Sequence, residues 1–230
     1  MPNSITVGQV ELTRYVQSTF KVKAGAKVVW VDPVIVNAEQ IGRDKADLIL
    51  VTHEHFDHFS VDCINEASRP GTVLVCNNSG VADKMKGSVK AQITVVKEWD
   101  SVDVAGVHLK AAPGYNTYHP RNQKTNSFNV GYIFNLGGQS ILHTGDTGLV
   151  EEFKDLGPVD IALVPIGGTY TMDETEAAKA IKEMIKPRAM ALPMHYGYAT
   201  GGDPNKFRQL VGKAVKVEVL EPVLKVRYQR

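Results

Sequence analysis

Four consecutive apolar residues, Leu48-Ile49-Leu50-Val51, run directly into Thr52-His53-Glu54-His55-Phe56-Asp57-His58. An unbroken apolar run of this length suits a strand buried on both faces, which demands a layer of structure above it and another below. Such a strand then ends in three imidazoles and a carboxylate within six residues, at His53, His55, Asp57 and His58. Imidazole and carboxylate together suit zinc, iron, nickel or manganese. The bland alternative is a solvated, charge-rich loop, but three histidines in six residues after a buried strand is not generic loop composition. Positions 53 and 55 differ by two, so in extended backbone both rings point the same way. Asp57 and His58 fall where the chain turns towards a helix capped by Ser60, so they can face a second point in space. That is the pattern of a site for two metals, roughly 3.5–4 Å apart.

Strand patterns open the chain at 4–7, 19–23 and 27–31, with Ala24-Gly25-Ala26 as a turn. After the run at 48–51 come a short helix over 61–67, a strand at 72–76 and a helix at 80–86. Strands are expected at 92–96, 102–104 and 107–112, then at 130–135 and 140–144 flanking a hairpin at Leu136-Gly137-Gly138-Gln139. A helix at 149–156 leads to a strand at 159–165. Thr171 and Glu174 have capping-box spacing and open a helix that stops before Pro187. A strand at 189–193 and a helix from Asp203-Pro204 to 211 follow, with strands at 215–219 and 223–228 closing the chain. Helices are spread through both halves and several connections are hairpin-short. The pattern predicts an α/β chain of two sheets packed face to face with helices outside, in one domain over 1–230.

Two further strand ends carry candidate ligands. Asp146 lies in Leu142-His143-Thr144-Gly145-Asp146, where a carboxylate could bridge two metals; the alternative is a turn aspartate. His195 lies in Leu192-Pro193-Met194-His195, and taken alone it could equally be a core histidine. Strand alternation puts Leu142, Thr144 and Asp146 on one face and His143 on the other, so His143 is expected to hydrogen-bond behind the site and not to bind metal. His108 reads as a surface or hydrogen-bonded strand residue. Cys63 and Cys76, the only cysteines, read as buried free thiols.

This pattern resembles the metallo-β-lactamase superfamily. The resemblance rests on Asp32 in Trp30-Val31-Asp32-Pro33, the Thr-His-x-His-x-Asp-His motif at 52–58, Gly145-Asp146-Thr147-Gly148 and the late His195. Within the superfamily the chain is similar to small stand-alone metal-dependent hydrolases, relatives of L-ascorbate-6-phosphate lactonase, through Pro165-Ile166-Gly167-Gly168-Thr169-Tyr170-Thr171-Met172-Asp173 and Pro193-Met194-His195-Tyr196-Gly197. The resemblance implies a four-layer αββα sandwich with the site at one edge between the sheets. It implies His53 and His55 on one metal, Asp57, His58 and His195 on a second, Asp146 bridging, and Asp32 accepting a hydrogen bond that orients a ligand. The middle histidine of the superfamily is not where expected: Asn116 holds that place, and His119 is the substitute as third ligand of the first metal, or else as an acid. Many relatives also carry Gly-His near the early strand; this chain has Val16-Gln17-Ser18, so the polar group there is neutral and is no proton donor.

The implied activity is hydrolysis of a phosphoester, lactone or related ester by a metal-bridging hydroxide, with zinc as the first expectation and manganese, nickel or iron next. Asp57 would orient the nucleophile and carry its proton; His119 or Tyr196 would protonate the leaving group. Asn116, Arg121, Lys124 and Tyr196 are the candidate substrate contacts, Arg121 and Lys124 as holders of an anionic group. A solvated loop with incidental charges explains those two equally well. The rivals are a diiron-type oxidoreductase on the same fold, which would carry Glu where this chain has His55, and a non-catalytic metal-binding protein. With a net charge of +1, 22% charged residues and no apolar run of membrane length, neither nucleic acid nor membrane is an expected partner. A cytoplasmic location is the default, and a homo-oligomer is left open.

Overall fold

The computed structural model describes residues 1–77, 81–122 and 127–228. Two seven-stranded sheets face each other, as expected. The first holds β1 (Ser4–Val7), β2 (Val10–Val16), β3 (Thr19–Ala24), β4 (Lys27–Val31), β5 (Leu48–Val51), β6 (Val73–Cys76) and β7 (Gln92–Val95), in chain order. The second holds β8 (Ser101–Val104), β9 (Val107–Pro113), β10 (Val130–Leu136), β11 (Gln139–His143), β12 (Ile161–Pro165), β13 (Met190–Met194) and β14 (Lys216–Val217). Each sheet follows one plan. Its first four strands are antiparallel and the rest are added in parallel. The parallel crossovers carry α1 (Ala38–Ile41), α2 (Val61–Ala67) and α3 (Val81–Met85) on one sheet, and α4 (Glu174–Lys179) and α5 (Pro204–Val211) on the other.

Side-chain alternation sorts the strands into layers. In β5, Leu48 and Leu50 enter the core between the sheets, with Phe20, Val29, Leu109, Tyr132 and Leu163. Ile49 and Val51 face the other way, against Ile41, Ile64 and Met85 of the first helical layer. Leu142, Ala162 and Val164 likewise meet Phe153, Ile181 and Phe207 on the far side of the second sheet. Both faces of each sheet are therefore buried, which gives the four αββα layers. Each fully buried Leu or Ile contributes about 1.5–3 kcal/mol by leaving water, so a charge at Leu50 would break the fold. Parallel strands all deliver their carboxyl ends to one edge, where ligands bind in sheets of this kind. Residues 32, 52–58, 146 and 195 all follow such ends.

Several boundaries differ from the sequence expectation. Strand β2 was not anticipated, because Glu11 and Arg14 interrupt its apolar pattern. Arg14 is buried nonetheless: its guanidinium donates to Leu220 O at 3.1 Å and Tyr196 O at 2.8 Å and lies 3.9 Å over the Tyr196 ring. The hairpin turn is only Gly137-Gly138, both at positive φ (53° and 77°), so β10 runs one residue further than expected and β11 starts and ends one residue earlier. The capping box sits two residues later, with Asp173 accepting from Thr175 N and Glu176 N; Thr171 instead bonds Met172 O. The helix it opens becomes a π turn over Ala180–Ile185 and closes at Lys186 in the left-handed region. The expected helix at 149–156 is one 3-10 turn, Glu151–Asp155. Residues 223–228 are not a strand: only isolated bonds tie them down, Val223 N to Arg14 O, Leu224 N to Tyr15 O and Tyr228 N to Tyr198 O. Among the described residues, no helix is long and apolar enough to cross a membrane.

Candidate metal centre

Strand β5 ends at Val51, and Thr52 just beyond it is tied to Asp32 past the end of β4. Its N–H donates to Asp32 Oδ1 at 2.8 Å and its hydroxyl donates to Asp32 Oδ2 at 2.7 Å. The chain then turns, with His58 N–H and Phe59 N–H both reaching His55 O, and enters α2 through the Ser60 cap. The turn carries His53 and His55 to one group of donors and Asp57 and His58 to another. The first group is His53, His55, His119 and Asp146; the second is Asp57, His58 and His195. Within each, the donor atoms lie within 4.8 Å of one another. Asp146 stands between the two groups. Its Oδ1 is 3.0 Å from His58 Nε2, and its Oδ2 is 2.8 Å from His195 Nε2, 3.6 Å from His119 Nε2 and 3.8 Å from His53 Nε2.

Four of the imidazoles have their outward nitrogen, Nδ1, occupied by a hydrogen-bond acceptor. His58 Nδ1 donates to Asp32 Oδ2 at 2.7 Å. His53 Nδ1 donates to the Thr52 hydroxyl at 3.0 Å, whose own hydrogen is committed to Asp32. His195 Nδ1 donates to Thr200 Oγ1 at 3.3 Å, whose hydrogen goes to His195 O. His119 Nδ1 donates to Asn116 Oδ1 at 3.1 Å. With Nδ1 so engaged, each ring turns its Nε2 to the centre, the atom a metal ligand would offer; His119 Nε2 also lies 3.2 Å from His55 Nδ1. The Nε2 atoms of His53, His58 and His195 and Oδ1 of Asp146 are buried with no hydrogen-bond partner. The close His58 and His195 approaches to Asp146 are near in distance but not aligned as hydrogen bonds. Unpaired buried polar atoms are costly singly, and so many converging on one spot fit a divalent cation or a pair of them.

Charge follows the same arrangement. Burial lowers His53 far below an ordinary histidine, lowers His55, and brings His119 down to about 4. These rings are neutral near pH 7, which suits His119 to give a lone pair and not a proton. Burial would lower His195 and His58 too, but the surrounding carboxylates together outweigh it: Asp146 and Asp57 raise His195 to about 9, and Asp146, Asp32 and Asp57 raise His58 well above its usual value. Burial would raise Asp57 and Asp146; instead the neighbouring imidazoles hold Asp57 at about 2 and Asp146 far below the carboxylate range. A cation among these atoms would take the place of the protons on His58 and His195.

Backbone geometry around the donors is tight. His195 (φ 55°), Asp32 (φ 46°) and Gln17 (φ 46°) are all left-handed without being glycine. Gln17 O accepts from His195 N, and Gln17 Nε2 donates to Asp57 Oδ2 at 3.0 Å. Gly145 packs so closely that a Cβ there would lie 2.3 Å from Asn129 Oδ1, the acceptor for Asp146 N–H. His143 turns away from the centre: its Nε2 donates to Ser18 O at 2.9 Å and its Nδ1 accepts from Gly145 N–H. His108 lies apart, on the surface beside Asp103 and Ser101.

Three expected substrate contacts are otherwise engaged. Asn116 accepts from His119 and donates to Tyr170 O at 2.7 Å, so it is neither the middle ligand nor free for substrate. Arg121 is paired with Glu98 at 2.7 Å and with Glu152, over the Tyr115 ring, so its charge is neutralised. Tyr196 lies under Arg14 with its hydroxyl towards Leu220 O, which removes it as a leaving-group acid. Lys124 lies outside the described residues. The sequence reading missed Thr52, Thr200 and Asn129 as supports of the donors, because single Thr and Asn residues carry no local signal. It also missed the aromatic side chains beside them. The centre opens on a cavity of about 420 Å³, lined among others by His55, Asp57, His119, Asp146 and His195.

Comparison with known proteins agrees with this fold. The beta-lactamase superfamily domain matches residues 11–195. A UPF0173 metal-dependent hydrolase of Pyrococcus abyssi is 35% identical over 209 residues, covering 86% of this chain and 91% of that protein. Among solved structures, a candidate metal-dependent hydrolase of Parabacteroides distasonis superposes with TM-score 0.77 at 26% identity, covering 96% of this chain and 99% of the other. Igni18, a metallo hydrolase of Ignicoccus hospitalis, gives TM-score 0.76 at 27% identity, covering 93% and 95%.

Proposed function

The chain belongs to the beta-lactamase superfamily, and on that premise we propose that it is a metal-dependent hydrolase that cleaves a phosphoester, lactone or related ester with two divalent cations. His53, His55 and His119 would hold one cation, Asp57, His58 and His195 the other, and Asp146 both. Bound there, the cations would supply a water that ionises near neutral pH and a Lewis acid for the substrate oxygen. An all-imidazole and carboxylate donor set makes zinc the first expectation.

The chain's own groups do the positioning. Asp32, Thr52, Thr200 and Asn116 hold the Nδ1 protons outward and so aim each Nε2. Asp57, kept ionised and steadied by Gln17, accepts a hydrogen bond from the attacking water and orients it. The observation that carries this reading is the convergence of the buried, unpartnered Nε2 atoms of His53, His58 and His195 about Asp146. His55, where an oxygen-activating relative would carry Glu, favours hydrolysis over the oxidoreductase alternative. Metal analysis of Asp146→Ala and His195→Ala proteins tests the assignment: retention of full metal stoichiometry in both would refute it. A metal-loaded protein inert to phosphodiesters, lactones and thioesters alike would refute the hydrolase reading.

A further inference from the structure

We infer that the substrate is an uncharged carboxylic ester or lactone bearing an aromatic ring, and not a phosphorylated one. The inference rests on the hydrolase reading and narrows it.

Every exposed Phe or Tyr among the described residues lies at the mouth of this cavity. Phe56 is 56% exposed, Tyr118 53%, Tyr228 44% and Tyr170 38%. They form two packed pairs. Phe56 and Tyr228 lie 4.7 Å apart between ring centroids, and Tyr118 meets Tyr170 edge-on at 4.9 Å. Phe56, Tyr170 and Tyr228 line the cavity itself. Elsewhere among the described residues the exposed ring is Trp99, 36% exposed and faced by Lys110 Nζ at 4.6 Å, so four rings gathered around one polar centre call for a ligand with a matching face.

The walls are built onto the centre. Phe56 sits between His55 and Asp57 in the chain. Tyr170 O accepts from Asn116, the same side chain that orients His119. Tyr228 N–H is held by Tyr198 O, three residues past His195. A ring packed against Phe56, Tyr170 or Tyr228 would therefore share the cavity with the donors.

Charge argues against a phosphate. No Lys or Arg is among the described residues that line the cavity. Arg121 is spent on Glu98 and Glu152, and the Thr200 hydroxyl is committed to His195 O. A phosphoryl group would thus find no cationic side chain among the described lining residues for its peripheral oxygens. A volume of about 420 Å³ suits a small ester with one ring. In the reaction, the water oxygen bonds to the acyl carbon and the acyl carbon–oxygen bond breaks. The leaving oxygen keeps the electron pair and takes one water proton, and the acid formed releases another.

The test uses the full-length, metal-loaded protein with benzyl acetate, ethyl acetate and benzyl phosphate, and N-benzylacetamide as an unreactive analogue whose binding is followed by titration calorimetry. The expected order of kcat/KM places benzyl acetate above ethyl acetate and benzyl phosphate last. Phe56→Ala and Tyr228→Ala should each cut the benzyl-to-ethyl preference about three- to tenfold and weaken N-benzylacetamide to a similar degree, with metal content retained. Preferential hydrolysis of benzyl phosphate overturns the inference, as does N-benzylacetamide binding that is absent or indifferent to both substitutions. Ring-dependent binding of N-benzylacetamide without turnover of any ester upholds the aromatic site and refutes the hydrolase reading.

Discussion

Replacing Asp32 by Asn exchanges one buried oxygen for an NH2 group and leaves the backbone alone, because Asn tolerates the left-handed conformation (φ 46°) as Asp does. Asp32 Oδ1 accepts from Thr52 N–H, and Oδ2 accepts from both the Thr52 hydroxyl and His58 Nδ1–H, each within 2.8 Å. The amide oxygen of Asn can keep the Thr52 N–H. Its NH2 then faces His58 Nδ1, which can only accept, so the His58 proton moves to Nε2. That atom is 3.0 Å from Asp146 Oδ1, on the side where a cation would need its lone pair. Losing a charge-assisted hydrogen bond costs about 1.5–3 kcal/mol, which agrees with the roughly 10–100-fold loss of metal affinity typical when such an orienting partner is removed. For a chain of this size the same figure lowers the melting temperature by about 3–12 °C. Chelator-competition titration should show the binding step that uses His58 weakened by that factor and the other step affected less, and 15N NMR should show the His58 tautomer reversed. Unchanged affinity at both steps, with the protein folded, would refute the argument that Asp32 sets the ring's tautomer.

Gly145→Ala should destabilise the protein by about 2–5 kcal/mol, since a left-handed φ of 61° and a 2.3 Å contact with Asn129 Oδ1 act together; a urea midpoint equal to the parent's would contradict this. Burial pushes the Cys76 thiol up to about 12, so it should stay unreactive to a disulfide reagent at pH 8 until the protein is denatured. Burial would raise Asp44, but the ammonium groups of Lys21 at 2.5 Å and Lys23 at 2.7 Å outweigh it and hold its carboxyl below 3.8. Its folded value being depressed, its contribution is complete above 3.8 and fades as pH falls below it. Asp44→Asn should therefore cost about 1 kcal/mol at pH 7, and denaturant titrations should show the difference closing towards pH 2; a gap that persists there would count against the pairing.

Local pattern was enough to place most elements, since alternation and turn residues act over a few positions. Strand β2 escaped because Arg14 looks solvated in sequence, and the carbonyls that its two terminal nitrogens reach are far away along the chain, at 196 and 220. The tail at 223–228 misled for the opposite reason: its apolar alternation is real, yet only isolated bonds hold it and no ladder forms. Arg121 looked like an anion holder because its two carboxylates, Glu98 and Glu152, lie 23 and 31 residues away along the chain.

The sequence by itself determined which donor types leave each strand end, because ligand chemistry is a property of the residue and the strand-to-loop change is local. His53, His55, Asp57, His58, Asp146 and His195 were legible for that reason. Tertiary structure decided which atoms of these side chains meet, and in which protonation state. The acceptor on His58 comes from a strand end 26 residues earlier in the chain, at Asp32. The placement of Asn116 and His119 was decided in the same way, by a hydrogen bond between them that leaves the amide nitrogen on Tyr170 O. The aromatic mouth joins Phe56 to Tyr228, residues that only the closed sandwich brings within contact.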